Sequence, residues 1–187
     1  MRSIAVYCGS KFGNHPVYEQ GARQLGRCLA GQGIRLVYGG GNVGLMGVLA
    51  SQALACGGEV VGVIPQSLKN REIAHSGLSE LIVVQDMHER KQTMADLADG
   101  FIAMPGAAGT LEEIFEAWTW AQLGYHTKPC AFFNLDGYFD TLLSFVDQMV
   151  SSGFMAEEYR DMLIVGDDPE AILAAFKTYT PPGEKWH

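Results

Sequence analysis

Apolar residues fall along this chain in short runs closed by glycine or proline, and each run is followed by a stretch in which they recur every three or four positions. The runs Ile4 to Cys8, Ile34 to Tyr38, Val60 to Ile64, Leu81 to Val84, Phe101 to Met104, Cys130 to Asn134 and Met162 to Val165 read as strands, and most are too uniformly apolar for one face to meet water. Helical spacing predicts a helix opening at Pro16 with Ala22, Leu25, Cys28 and Leu29 on one face, and an Ala- and Leu-rich helix ending at Cys56. Further helices open after Asp86, after the loop 106–109, after Tyr138 and at Asp168-Pro169. The polar stretch Leu68 to Ser79, with Arg71-Glu72-Ile73, predicts a mobile loop, and Ala156 to Arg160 a turn. Strand and helix in alternation, with about seven strands, imply an α/β fold: a Rossmann-like doubly wound parallel sheet with helices on both faces. Residues 1–179 are expected to form one domain and 180–187 a mobile tail, unless Trp186 docks.

In such sheets ligands bind outside the carboxyl ends of the strands. The unusual residues of this chain collect there: Gly9-Ser10, Gly39 to Gly47, Glu72, Arg90-Lys91 and Gly106 to Glu113. Pro105 stops the run Phe101 to Met104, and the small residues Gly106, Ala107, Ala108 and Gly109 lead into a helix carrying Leu111, Ile114, Phe115, Trp118 and Gln122. Gly106 and Gly109 can take backbone angles closed to other residues and the alanines add little bulk, so the helix N-terminus lies open to an anion such as phosphate. Thr110 and Glu113 also match a capping box, which would serve the helix alone. The loop Gly39-Gly40-Gly41-Asn42-Val43-Gly44 formally fits the dinucleotide pattern through Gly39, Gly41 and Gly44. A dinucleotide site expects an acid near the end of the next strand, and here Val60 to Ile64 ends in Pro65-Gln66-Ser67, so close packing of helix on strand is the competing reason for the glycines.

Asp86 and Glu89 form a second capping box. Met87, Met94 and Leu97 mark the apolar stripe of that helix, and Arg90 and Lys91 fall in its path. Two cations in a first turn oppose the macrodipole at up to ~1 kcal/mol each. A bound anion would balance them; otherwise their stems must snorkel from the helix edge.

Composition narrows the function classes. At 187 residues, 48% hydrophobic and 18% charged, one substantial core is affordable, and the formal charge of -8 with 13 scattered Lys and Arg argues against nucleic acid and anionic membranes as partners. Cys8, Cys28, Cys56 and Cys130 show no paired spacing and read as buried free thiols of a reducing compartment. The 5 His residues form no metal-ligand pattern, and no cofactor or metal is expected. With no leader before the first strand and no run near the ~20 residues of a membrane span, the expected location is the cytoplasm.

Taken together, Gly39-Gly40-Gly41 with Gly44-Leu45-Met46-Gly47, Arg71-Glu72-Ile73, Met87-His88-Glu89-Arg90-Lys91 and Pro105-Gly106-x-x-Gly109-Thr110-x-x-Glu113 resemble the LONELY GUY family, the cytokinin riboside 5'-monophosphate phosphoribohydrolases. The resemblance runs on through Trp118 to Gly124 and Asp136-Gly137-Tyr138. Such proteins have often been labelled lysine decarboxylases, although nothing in this sequence suggests a pyridoxal phosphate site. The resemblance implies that Arg90 and Glu113 are catalytic. It places the 5'-phosphate of a nucleoside monophosphate on Gly106, Ala107, Ala108, Gly109 and Thr110, with Leu111 and Glu112 beyond. Glu72, Lys91 and Thr119 match further nucleotide contacts, and Gly40, Gly41, Gly44 and Met46 complete the substrate-binding set. The family also implies a homodimer with sites at its interface, and the apolar segment Trp118 to Leu123 agrees with burial against a second copy.

Ala107 departs from the family pattern, which has glycine there. A methyl would cost roughly 1 kcal/mol or more if that residue needed positive φ. By analogy with glycoside hydrolysis, Glu113 would stabilise an oxocarbenium-like sugar or activate water, and Arg90 would stabilise the departing base or hold the ribose phosphate. The alternative from another class is a non-catalytic carrier of a nucleotide or of molybdenum cofactor, and Ala107 is the residue that leaves it open.

Overall fold

The protein is described by a computed structural model covering residues 1–69 and 74–182. Seven strands, β1 (Ser3–Tyr7), β2 (Arg35–Tyr38), β3 (Val60–Pro65), β4 (Glu80–Val84), β5 (Phe101–Ala103), β6 (Cys130–Phe133) and β7 (Leu163–Gly166), form one sheet in the order β4-β3-β2-β1-β5-β6-β7. Every pairing is parallel. The α/β doubly wound architecture read from the sequence is therefore the observed one. Parallel neighbours require crossovers, and the helices α1 (Pro16–Gly31), α2 (Gly44–Ala55), α3 (Met87–Leu97), α4 (Ala108–Gln122), α5 (Asp140–Ser151), α6 (Glu157–Asp161) and α7 (Pro169–Thr178) are placed by them.

Successive residues of β1 point to opposite faces, so Ile4 and Val6 join one core with α1, α2 and α7, while Ala5 and Tyr7 join the other with α3, α4 and α5. Burial on both faces is why the strands lack polar alternation. Helices α1 and α2 approach closely because Gly26 offers no side chain: a Cβ there would come within 2.8 Å of the Leu49 carbonyl.

The order of strands matters for function. The chain winds outward from β1 to β4, then returns to lay β5 on the other side of β1. The carboxyl ends of β1 and β5 thus border the point where the winding reverses, the place where such sheets open a crevice.

Several expectations are corrected. The turn at Ala156 to Arg160 contains the short helix α6. Cys8 and Cys130 are buried, but Cys28 in α1 is half-buried and Cys56, just past the end of α2, is exposed. Within Leu68 to Ser79, Ala74 forms an antiparallel bridge with Gly41, and Leu68 and Lys69 donate to the Pro65 carbonyl. Arg71, Glu72 and Ile73, and residues 183–187 of the tail with Trp186, lie outside the described residues. Among the described residues no helix is long and apolar enough to cross a membrane.

Candidate active site

At the β1/β5 junction Met104 N donates to the Tyr7 carbonyl at 2.9 Å and Gly9 N to the Pro105 carbonyl at 3.0 Å, so the two strand ends leave the sheet as a pair. Beside them opens a cleft of about 250 Å³. Its walls are Cys8, Gly9 and Ser10 after β1, Met46 of α2, Leu68, Met87 and Arg90 of α3, and Ala107, Gly109, Thr110, Glu112 and Glu113 around the start of α4. An adjoining cavity of about 220 Å³ shares Gly9, Ser10 and Ala107 and is walled by Phe12, Tyr18 and Tyr138.

The start of α4 differs from the capping box expected of Thr110 and Glu113. The N-cap residue is Ala107, whose side chain caps nothing, and the helix begins at Ala108. Thr110 therefore sits inside the first turn, 4% exposed. Its hydroxyl lies where a Cβ on Gly106 would be, which is why position 106 must be glycine. Neither Gly106 nor Gly109 adopts positive φ, contrary to the conformational role expected of them; Gly106 serves close packing, and open space surrounds Gly109. Tyr138 braces the loop, donating from its hydroxyl to the Gly106 carbonyl at 2.6 Å. Ala107 has φ -100 and ψ -158 and is exposed, so its methyl meets no backbone penalty. Within the helix the first amide with a carbonyl partner is Leu111, bonded to the Ala107 carbonyl. The amides of Ala108, Gly109 and Thr110 thus end the helix toward the cleft, where the dipole favours an anion.

Helix α3 opens as the sequence predicts. Asp86 Oδ1 accepts from His88 N and Glu89 N, each at 2.9 Å, and Glu89 Oε2 accepts from Gln85 N at 2.6 Å. Those backbone donors hold the Asp86 carboxyl below its usual pKa. The cations do not snorkel: Arg90 is 6% and Lys91 7% exposed. Arg90 Nε donates to the Val63 carbonyl and Nη2 to the Gly39 carbonyl, both at 3.0 Å, so the ends of β3 and β2 fix the guanidinium. Lys91 Nζ bonds Glu112 Oε1 at 2.5 Å and Glu116 Oε1 at 3.1 Å. Burial opposes the Lys91 charge, but the two carboxylates outweigh it and hold its pKa up. Lys91 is thus balanced by α4, and no anion is needed to account for it.

Glu113 is half-buried and lines the same cleft as Arg90. Its charge is felt on the floor: burial first, and Glu113 second, push the Tyr7 hydroxyl and the Cys8 thiol well above their ordinary pKa values.

The structure therefore brings Arg90, Glu113, Glu112, Thr110, Gly109, Ala107 and Met46 to one cleft. Gly106 lines the adjoining cavity, and Ala108 is exposed in the first turn of α4. Leu111 packs against the core behind them. Thr119 is exposed near the far end of α4 and lines neither cavity. Gly40, Gly41 and Gly44 stay out of the lining as well: Gly40, at φ +79, packs on Ile64 and Leu81, and Gly44, at φ +51, meets the Ser10 and Lys11 backbone. Trp118, expected against a second copy, is buried within the chain and donates to the Tyr159 carbonyl at 3.0 Å. Reading the sequence did not single out Leu68 for the site and gave Cys8 only to the first strand, while Met87 entered only as the opening of the Met87 to Lys91 motif; their place in the lining depends on which strand ends meet.

The family model described as "Possible lysine decarboxylase" matches residues 46–176. The chain is 46% identical over 185 residues to a probable cytokinin riboside 5'-monophosphate phosphoribohydrolase of Oryza sativa subsp. japonica, covering 98% of this chain and 75% of that one. It is 48% identical over 178 residues to the cytokinin riboside 5'-monophosphate phosphoribohydrolase of Rhodococcoides fascians, covering 95% of this chain and 90% of the relative. Among solved structures, the molybdenum cofactor binding protein of Rippkaea orientalis superposes with a TM-score of 0.70 at 23% identity, over 95% of this chain and 96% of that one. The molybdenum cofactor carrier protein of Chlamydomonas reinhardtii does so with a TM-score of 0.70 at 20% identity, over the same shares of 95% and 96%. Likeness at that identity extends to the fold alone, whereas the sequence relatives cover nearly the whole chain, motifs included: this chain belongs to the LONELY GUY family of cytokinin riboside 5'-monophosphate phosphoribohydrolases.

Proposed function

We propose that this protein hydrolyses the N-glycosidic bond of N6-substituted adenosine 5'-monophosphates, releasing the free base and ribose 5-phosphate. The observation that carries this reading is that Arg90 and Glu113 line one cleft with the uncapped N-terminus of α4. The 5'-phosphate binds the amides of Ala108, Gly109 and Thr110, where the helix dipole replaces a cation. As the bond from C1' to the base breaks, positive charge grows on the sugar and negative charge on the base. Glu113 answers the first and takes a proton from the water whose oxygen bonds C1'. Arg90 answers the second; held by two backbone carbonyls, it needs little reorganisation as charge develops. The departing base takes up one proton, which balances the water consumed. Glu112, tethered by Lys91, forms the wall beside Glu113.

We propose further that the chain works as a homodimer in the cytoplasm. Trp120, with the exposed Tyr125 beside it on the cavity between α3 and α4, offers two aromatic rings to a second copy, and four free cysteines suit a reducing compartment. Sedimentation at micromolar concentration is expected to give twice the chain mass.

The deciding experiment incubates the purified protein with a cytokinin riboside 5'-monophosphate, with adenosine 5'-monophosphate and with the unphosphorylated nucleosides, and separates free base by chromatography. Base is expected from the monophosphates and little from the nucleosides. Equal rates on both would remove the phosphate loop from the mechanism, and binding without release would favour a carrier.

A further inference from the structure

Gly39 follows β2, and its missing side chain makes room for the Arg90 guanidinium. A Cβ built on it would overlap Arg90 Nη2 and come within 3.2 Å of Met46 Sδ, another residue of the cleft wall. The Gly39 carbonyl is also the acceptor that holds Nη2, at 3.0 Å. We propose that Gly39 is a positioning residue: its carbonyl and its bare Cα together set where the Arg90 guanidinium stands in the cleft. This rests on Arg90 acting in the reaction, as proposed above.

The neighbouring glycines have other obstacles. A Cβ on Gly44 would strike the Ser10 and Lys11 backbone, and one on Gly62 would come within 2.7 Å of the Gly40 Cα. Backbone cannot yield there without disturbing the sheet edge. At Gly39 the obstacle is the far end of a long side chain, and Gly39 does not adopt positive φ. Alanine is therefore conformationally permitted at position 39, and the strain it brings is relieved by moving the guanidinium. Such a change leaves the fold standing and displaces the charge that the reaction needs. Misplacing a reacting group by an ångström costs on the order of 100-fold in rate.

The test compares Gly39→Ala, Arg90→Ala, the double variant and Gly31→Ala, a glycine with nothing within 4 Å, by steady-state kinetics and thermal melting. Gly39→Ala is expected to lose on the order of 100-fold in kcat with a smaller change in KM. It should melt within a few degrees of the parent and add no further loss to Arg90→Ala, while Gly31→Ala matches the parent throughout. Near-parental activity in Gly39→Ala beside an inactive Arg90→Ala would overturn the positioning role and leave Arg90's role intact. So would losses that multiply in the double variant, or a melting point lowered by more than about 10 °C. Full activity in Arg90→Ala would overturn the catalytic reading and this inference with it.

Discussion

Ala107 shows how a single residue changes meaning between sequence and structure. As a replacement for a family glycine it threatens the phosphate loop; at φ -100 in extended backbone, with its methyl exposed, it threatens nothing. Ala107→Gly is accordingly expected to leave turnover unchanged and, if anything, to lower the melting point slightly by loosening the unfolded chain. Glu113→Gln and Arg90→Ala are the opposite case. Each should lose on the order of 100-fold or more in kcat while melting within a few degrees of the parent, since both side chains stand at the cleft and the Asp86 cap of α3 is made without Arg90. A large fall in melting temperature for both would mark them as structural groups and dismiss the catalytic pair.

Between elements, the decisive contact is the ion pair of Lys91 with Glu112 and Glu116, which ties the first turn of α3 to α4. The side chain of Lys91 is 8% exposed and that of Glu112 53%, so screening limits the worth of the pairing to about 1 kcal/mol, the upper end for partly solvated pairs. Lys91→Met should therefore lower stability by about that amount, leaving Glu112 and Glu116 as neighbouring like charges. The loss should be most evident at low salt; an unchanged denaturation midpoint at low ionic strength would show that the pair does not clamp the helices. The capping box of α3 was legible from Asp86 and Glu89 because its partners lie within one turn. That of α4 was misread, because Thr110 and Glu113 have the right spacing but the helix starts before them, where Pro105 and the packing of Gly106 on Thr110 release the chain.

For the whole molecule, acid stability is governed by groups that fold into places where charge is unwelcome. Burial, and then Lys128, push the His126 imidazole down to about 4. It packs on the Phe101 ring and accepts a hydrogen bond from Lys128 N at 3.1 Å. The unfolded chain takes up this proton below ~6.5, whereas the folded protein resists it to about 4. The contribution of neutral His126 is therefore complete above the unfolded value and is lost as pH falls from ~6.5 toward ~4. Denaturant melts across that range should show stability declining with acid, and His126→Gln should flatten the decline. A slope unaltered by the substitution would assign it to other groups, and Asp99 acts only at lower pH, its contribution being lost as pH falls below ~3.9. Asp99 accepts from Arg2 N and Ser3 N at the start of β1, and those bonds hold its carboxyl below the usual range.

The linear order of apolar runs and helical stripes determined the alternating α/β fold, because each strand buried on both faces must be apolar throughout and each crossover helix apolar on one side. It also determined that Arg90 and Lys91 lie in an apolar path, since helical spacing fixes a residue's face before any partner is known. Tertiary structure alone decided what meets them. Lys91 finds its carboxylates 21 and 25 residues away on α4, and Arg90 finds the Gly39 carbonyl 51 residues away. Such partners depend on β5 returning to lie beside β1, a sheet order that no local spacing encodes. In the glycine loop that resembles a nucleotide fingerprint, Gly39 leaves the space the Arg90 guanidinium fills, and a missing side chain has meaning only beside the group that fills its space.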